Sequence, residues 1–87
     1  MTATQREMSA LWCEILQTDG PVDSTANFFA LGGDSLAMTM LLFRVQEVFG
    51  IELPAAALIE APELGAFSAL IDSARLAADP AVASGTL

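Results

Sequence analysis

Apolar residues recur at helical spacing in three long stretches of the chain. Met8, Leu11, Trp12, Ile15 and Leu16 recur at spacings of three and four, which predicts a first helix from about Gln5 to Gln17. Thr4-Gln5-Arg6-Glu7 fits the capping box that opens such a helix, and Asp19-Gly20-Pro21 closes it. A second helix is predicted from Ser35 to about Phe49, with Gly50 as its left-handed stop. Ile51-Glu52-Leu53 reads as a short extended link, and Pro54 suits the first turn of a brief third helix to Glu60. Pro62 opens a last helix through about Ala77, with Leu64, Phe67, Leu70 and Ile71 on one face. No segment alternates as a strand does, and none repeats. The predicted fold is all-α: a small four-helix bundle of three longer helices and one short one. Residues 1–78 form its single domain, and 79–87, small and Pro- and Gly-containing, form a flexible tail.

The connection from Thr18 to Asp34 carries few helix signals, yet it is not simply polar. Val22, Phe28, Phe29 and Leu31 are expected to pack down on the helices, and a long ordered loop in a compact domain points to function. The second helix also departs from a simple pattern. At 100° per residue, Met38, Leu41, Leu42, Val45, Val48 and Phe49 share a broad face that meets the core. Leu36, Met40 and Phe43 fall together on the other side. Such a helix is either deeply buried or has a docking surface. Cover by the short third helix, through Ala57, Leu58 or Ile59, competes with docking. The two readings stand level for Phe43, and docking is favoured for Leu36 and Met40.

Composition narrows the chemistry. Eleven acidic residues face three bases (Arg6, Arg44 and Arg75), with no lysine, for a net charge of −8. That balance argues against nucleic acid and anionic membranes and favours partners with basic surfaces, although solubility alone would also explain it. The chain has no histidine and a single cysteine, Cys13, which reads as a small buried hydrophobe rather than a reactive thiol. No Ser–His–Asp or Cys–His site can be built, the usual zinc sites are excluded, and no side chain has an ordinary pKa near neutrality. No catalytic residue and no metal ligand is assigned. The amino-terminal stretch lacks the pattern of a secretory signal, and the longest apolar run is too short to span a bilayer, so a soluble, cytoplasmic protein is expected.

The segment Leu31-Gly32-Gly33-Asp34-Ser35-Leu36 carries the distinctive chemistry. Two glycines allow a tight turn and a close backbone approach, and Ser35 follows at the start of a helix. A phosphate ester on its Oγ would sit at a helix N-terminus, where free amides and the helix dipole favour an anion. The plainer alternative is that Asp34 or Ser35 only caps the helix. Gly33-Asp34-Ser35-Leu36 also spells the nucleophile block of GDSL-type hydrolases, but those need a histidine base and a larger α/β domain.

The run Asn27-Phe28-Phe29-Ala30-Leu31-Gly32-Gly33-Asp34-Ser35-Leu36 resembles the core motif of phosphopantetheine-dependent carrier proteins, particularly the peptidyl carrier (thiolation) type of nonribosomal peptide synthesis. Leu11-Trp12, Ile15-Leu16, Val48 to Pro54 and Leu58 to Pro62 extend the likeness over about Met8 to Ile71. The resemblance implies an acyl-carrier-protein-like bundle with 4'-phosphopantetheine, taken from coenzyme A, attached at Ser35. Asp34 and Gly33 would complete the attachment site, with Asp34 beside the metal of the transferase or acting as a cap. It further implies a non-enzymatic carrier of thioester-bound intermediates, with a phosphopantetheinyl transferase, an adenylation enzyme or domain, and condensation, tailoring or thioesterase enzymes as partners. Leu36, Met40 and Phe43 would form the partner-binding surface. A free-standing monomer is expected. An acyl carrier of a polyketide or starter-acid pathway is the nearest alternative; a helical adaptor without a prosthetic group is one of another class. The second helix offers only Glu47 as an acid, unlike the acidic helix of fatty-acid-type carriers. Glu63 departs from the family's frequent threonine cap on the last helix.

Overall fold

A computed structural model describes residues 1–78; the tail expected over 79–87 lies outside the described residues. Four helices follow in order: α1 (Ala3–Leu16), α2 (Ser35–Phe49), α3 (Ala55–Glu60) and α4 (Leu64–Ala78). Helix α1 packs on α4 and α2, and α3 bridges α2 to α4. The shared core takes Met8, Leu11 and Trp12 from α1, Leu41 and Val45 from α2, Leu58 from α3, and Leu64, Phe67 and Ile71 from α4. These residues are all apolar, with only Thr4, Ser9 and Ser68 as buried polar side chains among the described residues, so burial of hydrocarbon surface drives the assembly.

Helix α1 begins two residues earlier than expected. Thr2, not Thr4, forms the capping box: its Oγ1 accepts the Gln5 amide at 3.1 Å while Gln5 Oε1 accepts the Thr2 amide. The sequence offers two threonine-led boxes, and the earlier one adds helix and frees Thr4 for tertiary contact. Thr4 is buried, and its hydroxyl donates to Asp72 Oδ1 at 2.6 Å, tying α1 to α4. At the other end, Gln17 takes the left-handed conformation that stops the helix. Cys13 is half-buried rather than buried, with its thiol against the Gly20 carbonyl.

The loop between α1 and α2 is pinned at several points. Ser9 Oγ donates to the Val22 carbonyl (3.2 Å) and accepts its amide (3.1 Å), which satisfies both groups where all are buried. Asp23 accepts the hydroxyl and the amide of Thr25, and these two bonds, the hydroxyl first, hold its carboxyl below the ordinary aspartate value. Val22 and Phe28 reach the core as expected, whereas Phe29 and Leu31 stay partly exposed.

Helix α4 starts at Leu64, two residues after the expected opening at Pro62. Glu63 supplies the carbonyl for the first helical bond, from the Phe67 amide. The next free amides are taken by the preceding loop: Leu64 N–H donates to Ala26 O (2.9 Å) and Gly65 N–H to Ser24 O (2.8 Å). Backbone carbonyls thus cap a helix start that lacks a short hydroxyl side chain. Helix α3 begins at Ala55, with Pro54 as its N-cap, and α2 ends on Gly50 as expected.

Candidate functional site

The turn before α2 is built around Asn27. Its Oδ1 accepts the amides of Phe29 (2.9 Å) and Ala30 (3.1 Å), and its carbonyl accepts the Leu31 amide (3.1 Å). Asn27 also forms an isolated antiparallel bridge with Glu63, beside the bond from Phe28 N–H to Pro62 O (2.9 Å). Phe28 is fully buried, edge-on to Trp12 at a centroid distance of 5.2 Å. In the sequence Asn27 figures only as the head of the motif running to Leu36; the available signal for its role in the turn was the tendency of a loop asparagine to bond the backbone two residues on.

The two glycines have different duties. Gly32 takes a φ of +100°, which L side chains rarely adopt. Gly33 lies directly on Phe28: its amide donates to the Phe28 carbonyl at 3.0 Å, and a Cβ there would fall 2.7 Å from that oxygen and against the ring. The turn thus delivers the chain tightly to Asp34 and Ser35.

Asp34 is the N-cap of α2. Its Oδ1 accepts the Ala37 amide at 2.9 Å, and its carbonyl accepts the Met38 amide. Ser35 is the first helical residue and is exposed; its carbonyl is met by the hydroxyl of Thr39, one turn on. The Ser35 and Leu36 amides have no acceptor within the helix itself, so the surroundings of Ser35 Oγ suit a bound anion. An open hydroxyl with no enclosing wall also fits a bulky substituent that must leave the surface.

Along α2, Leu36 is 70% exposed, Met40 47% and Phe43 61%, so α3 does not cover this stripe. The stripe borders a shallow groove of about 260 Å³ lined by Thr39, Leu42, Phe43, Gln46, Glu52 and Leu53. A larger hollow, about 470 Å³, lies beside α1 around Arg6, Ala10 and Cys13 and includes none of these residues. Of the face expected to meet the core, Leu41 and Val45 are buried and Met38, Leu42 and Phe49 partly so, but Val48 is exposed. Among the described residues no group of three or more acidic, cysteine or histidine side chains could hold a metal, and no helix is long and apolar enough to cross a membrane.

An apolar bundle that presents one hydroxyl at a helix start, on a turn locked from behind, defines a scaffold for a surface-attached group rather than an enclosed reaction centre. Residues 6–71 match the family model described as "Phosphopantetheine attachment site", and the chain belongs to that family, whose prosthetic group is 4'-phosphopantetheine. Over 80 residues, 92% of this chain, it is 35% identical to phosphinothricin tripeptide synthetase PhsB of Streptomyces viridochromogenes, and it spans 7% of that protein's length. Its fold is similar to that of BlmI, a type-II acyl-carrier-protein from Streptomyces verticillus involved in bleomycin biosynthesis (TM-score 0.76, 30% identity, 82% of this chain and 84% of BlmI). It is also similar in fold to a peptidyl carrier protein solved in complex with the phosphopantetheine transferase Sfp and coenzyme A (TM-score 0.80, 23% identity, 84% and 94% covered).

Proposed function

We propose that this chain is a peptidyl-carrier-type thiolation domain and that Ser35 Oγ is the point of attachment of its 4'-phosphopantetheine arm. The observation that carries the assignment is the position of Ser35: exposed, first in α2, at helix-start amides that Asp34 leaves free. The Ser35 and Leu36 amides would face the phosphate, and Gly33 lets the turn close behind it. One oxygen of the exposed Asp34 carboxylate caps the helix; by resemblance to the family, this carboxylate would also lie beside the transferase's metal-binding site. The bound arm supplies a terminal thiol on which amino or carboxylic acids are held as thioesters.

The chain itself performs no catalysis on this reading, and its place of action is the cytoplasm, where coenzyme A and the partner enzymes are found. A phosphopantetheinyl transferase adds the arm, an adenylation enzyme or domain loads it, and condensation, tailoring or thioesterase enzymes unload it. Leu36, Met40 and Phe43 offer an apolar surface beside the arm. The one acidic residue of α2, Glu47, lies 3.9 Å from Arg44, so this helix has little free negative charge for a basic groove to read. That favours the peptidyl over the acyl type.

Intact mass after incubation with coenzyme A and a promiscuous transferase tests the assignment. One arm is expected on the wild type and none on Ser35→Ala; arm addition to Ser35→Ala would refute the site. Loading of the modified protein then separates the types. Aminoacyl loading by an adenylation enzyme supports the peptidyl reading, and exclusive malonyl loading by an acyl-transfer enzyme overturns it.

A further inference from the structure

We infer that Asn27 is a positioning residue for the modification of Ser35, acting through the turn it organises and without touching the incoming group. This rests on the assignment of Ser35 as the attachment point. Six residues separate Asn27 from Asp34, and four of their backbone amides are held by Asn27 and Phe28. Asn27 Oδ1 holds the Phe29 and Ala30 amides, its carbonyl holds the Leu31 amide, and the Phe28 carbonyl holds the Gly33 amide. The turn is therefore closed at both ends, over residues 27–31 and 28–33.

Phe28 and the residues just before Asn27 anchor the turn to the rest of the bundle. Phe28 N–H donates to Pro62 O, and Ala26 and Ser24, just upstream, accept the first amides of α4. The buried ring of Phe28 blocks movement from below, since Gly33 already rests on it. Only Asp34 stands between this clamp and Ser35. The orientation in which Ser35 leaves the surface is thus set by the turn that delivers it together with the first turn of α2, where its carbonyl is held by Thr39.

Removing Oδ1 leaves the Phe29 and Ala30 amides to water, which can reach them because both residues are exposed. The helices keep their core, but the turn gains alternative conformations. An enzyme that accepts only one presentation of Ser35 then sees a smaller competent fraction, and its apparent affinity for the carrier falls by that fraction. Turnover of the bound carrier and affinity for coenzyme A are left alone.

Initial rates of arm addition, measured by intact mass against carrier and coenzyme A concentration, test this in the whole chain. Asn27→Ala is expected to raise KM for the carrier about tenfold, as a competent fraction near one tenth requires, with kcat and KM for coenzyme A unchanged. Asn27→Asp, which keeps the acceptor oxygen, restores the wild-type KM; Asn27→Ser, with a shorter reach, falls between and carries the comparison if Asn27→Ala does not fold. Thr2→Ala, which breaks the capping box at the end of α1 remote from this connection, serves as a control for destabilisation elsewhere in the bundle and leaves KM unchanged. A wild-type KM in Asn27→Ala and Asn27→Ser, or an equal rise in Thr2→Ala, overturns the positioning role. A wild-type chain that takes no arm overturns the Ser35 assignment, and this inference with it.

Discussion

At the scale of single residues, Gly33 and Gly20 make an instructive pair. Both stand in the same connection, yet a Cβ on Gly20 meets nothing within 4 Å, while one on Gly33 meets the ring and carbonyl of a fully buried phenylalanine. Phe28 cannot retreat, because Trp12 lies against its ring. Gly33→Ala must therefore shift either the core or the start of α2, at a cost of about 1–3 kcal/mol, the usual range for overpacking. Gly20→Ala should change stability by less than ~0.5 kcal/mol. Urea unfolding of the two variants checks this, and equal midpoints would show that the turn accommodates the methyl group. Gly33 is thus required for space and Gly32 for its backbone conformation, a division that the doubled glycine alone does not reveal.

At the scale of elements, the start of α4 shows a helix capped by its neighbours. Glu63 stands at the N-cap, where serine or threonine is usual, and loop carbonyls hold the Leu64 and Gly65 amides. Glu63→Thr would add a hydroxyl for the next amide, that of Ala66, while removing a carboxylate that favours the helix dipole. The net expectation is a gain of ~0.5 kcal/mol. For a domain of this size that raises Tm by about 2–4 °C in a thermal melt. An unchanged or lower Tm would mean that the loop already satisfies this helix start. Helix α2 shows a different limit of pattern reading. Val48 lies only about 20° from Leu41 on the helical wheel, but it sits ~10 Å further along the axis. Its exposure reflects azimuth as well, because it lies on the far side of Leu41 from Val45, Met38 and Phe49, and Phe49, one residue further on, still packs against the core.

At the scale of the whole molecule, the chain combines a strongly negative charge with an apolar stripe beside Ser35. The three arginines are not all free to answer that charge: Arg44 bridges to Glu14 of α1 at 3.3 Å, and the guanidinium of Arg75 lies over the Phe49 ring. A further carboxylate on the stripe should repel apolar partners without disturbing the core. Met40→Glu is expected to keep the circular dichroism spectrum and to alter stability by no more than ~0.5 kcal/mol, as surface substitutions do. Loading by an adenylation partner should lose ~1–2 kcal/mol of association, about a tenfold rise in KM for the carrier. Loss of helicity in this variant would place Met40 in the core, and unaltered loading would show that partners do not read the stripe.

The order of the four helices, the stop at Gly50 and the placing of Ser35 at the head of α2 were all legible in the sequence. Each follows from local causes: apolar spacing, glycine and proline chemistry, and a short motif. The absence of histidine likewise settled, without any coordinates, that Ser35 would have no imidazole from this chain to activate it. Other features required the tertiary structure, because they depend on residues far apart in the chain. The choice between Thr2 and Thr4 as the cap involves Asp72, the start of α4 is held by Ser24 and Ala26, and the need for Gly33 comes from a ring packed against Trp12. The competition between burial and docking at Leu36, Met40 and Phe43 was of the same kind. Periodicity shows which residues share a face; only the packing of α3, with Leu58 inward and Ile59 outward, decided that this face stays open.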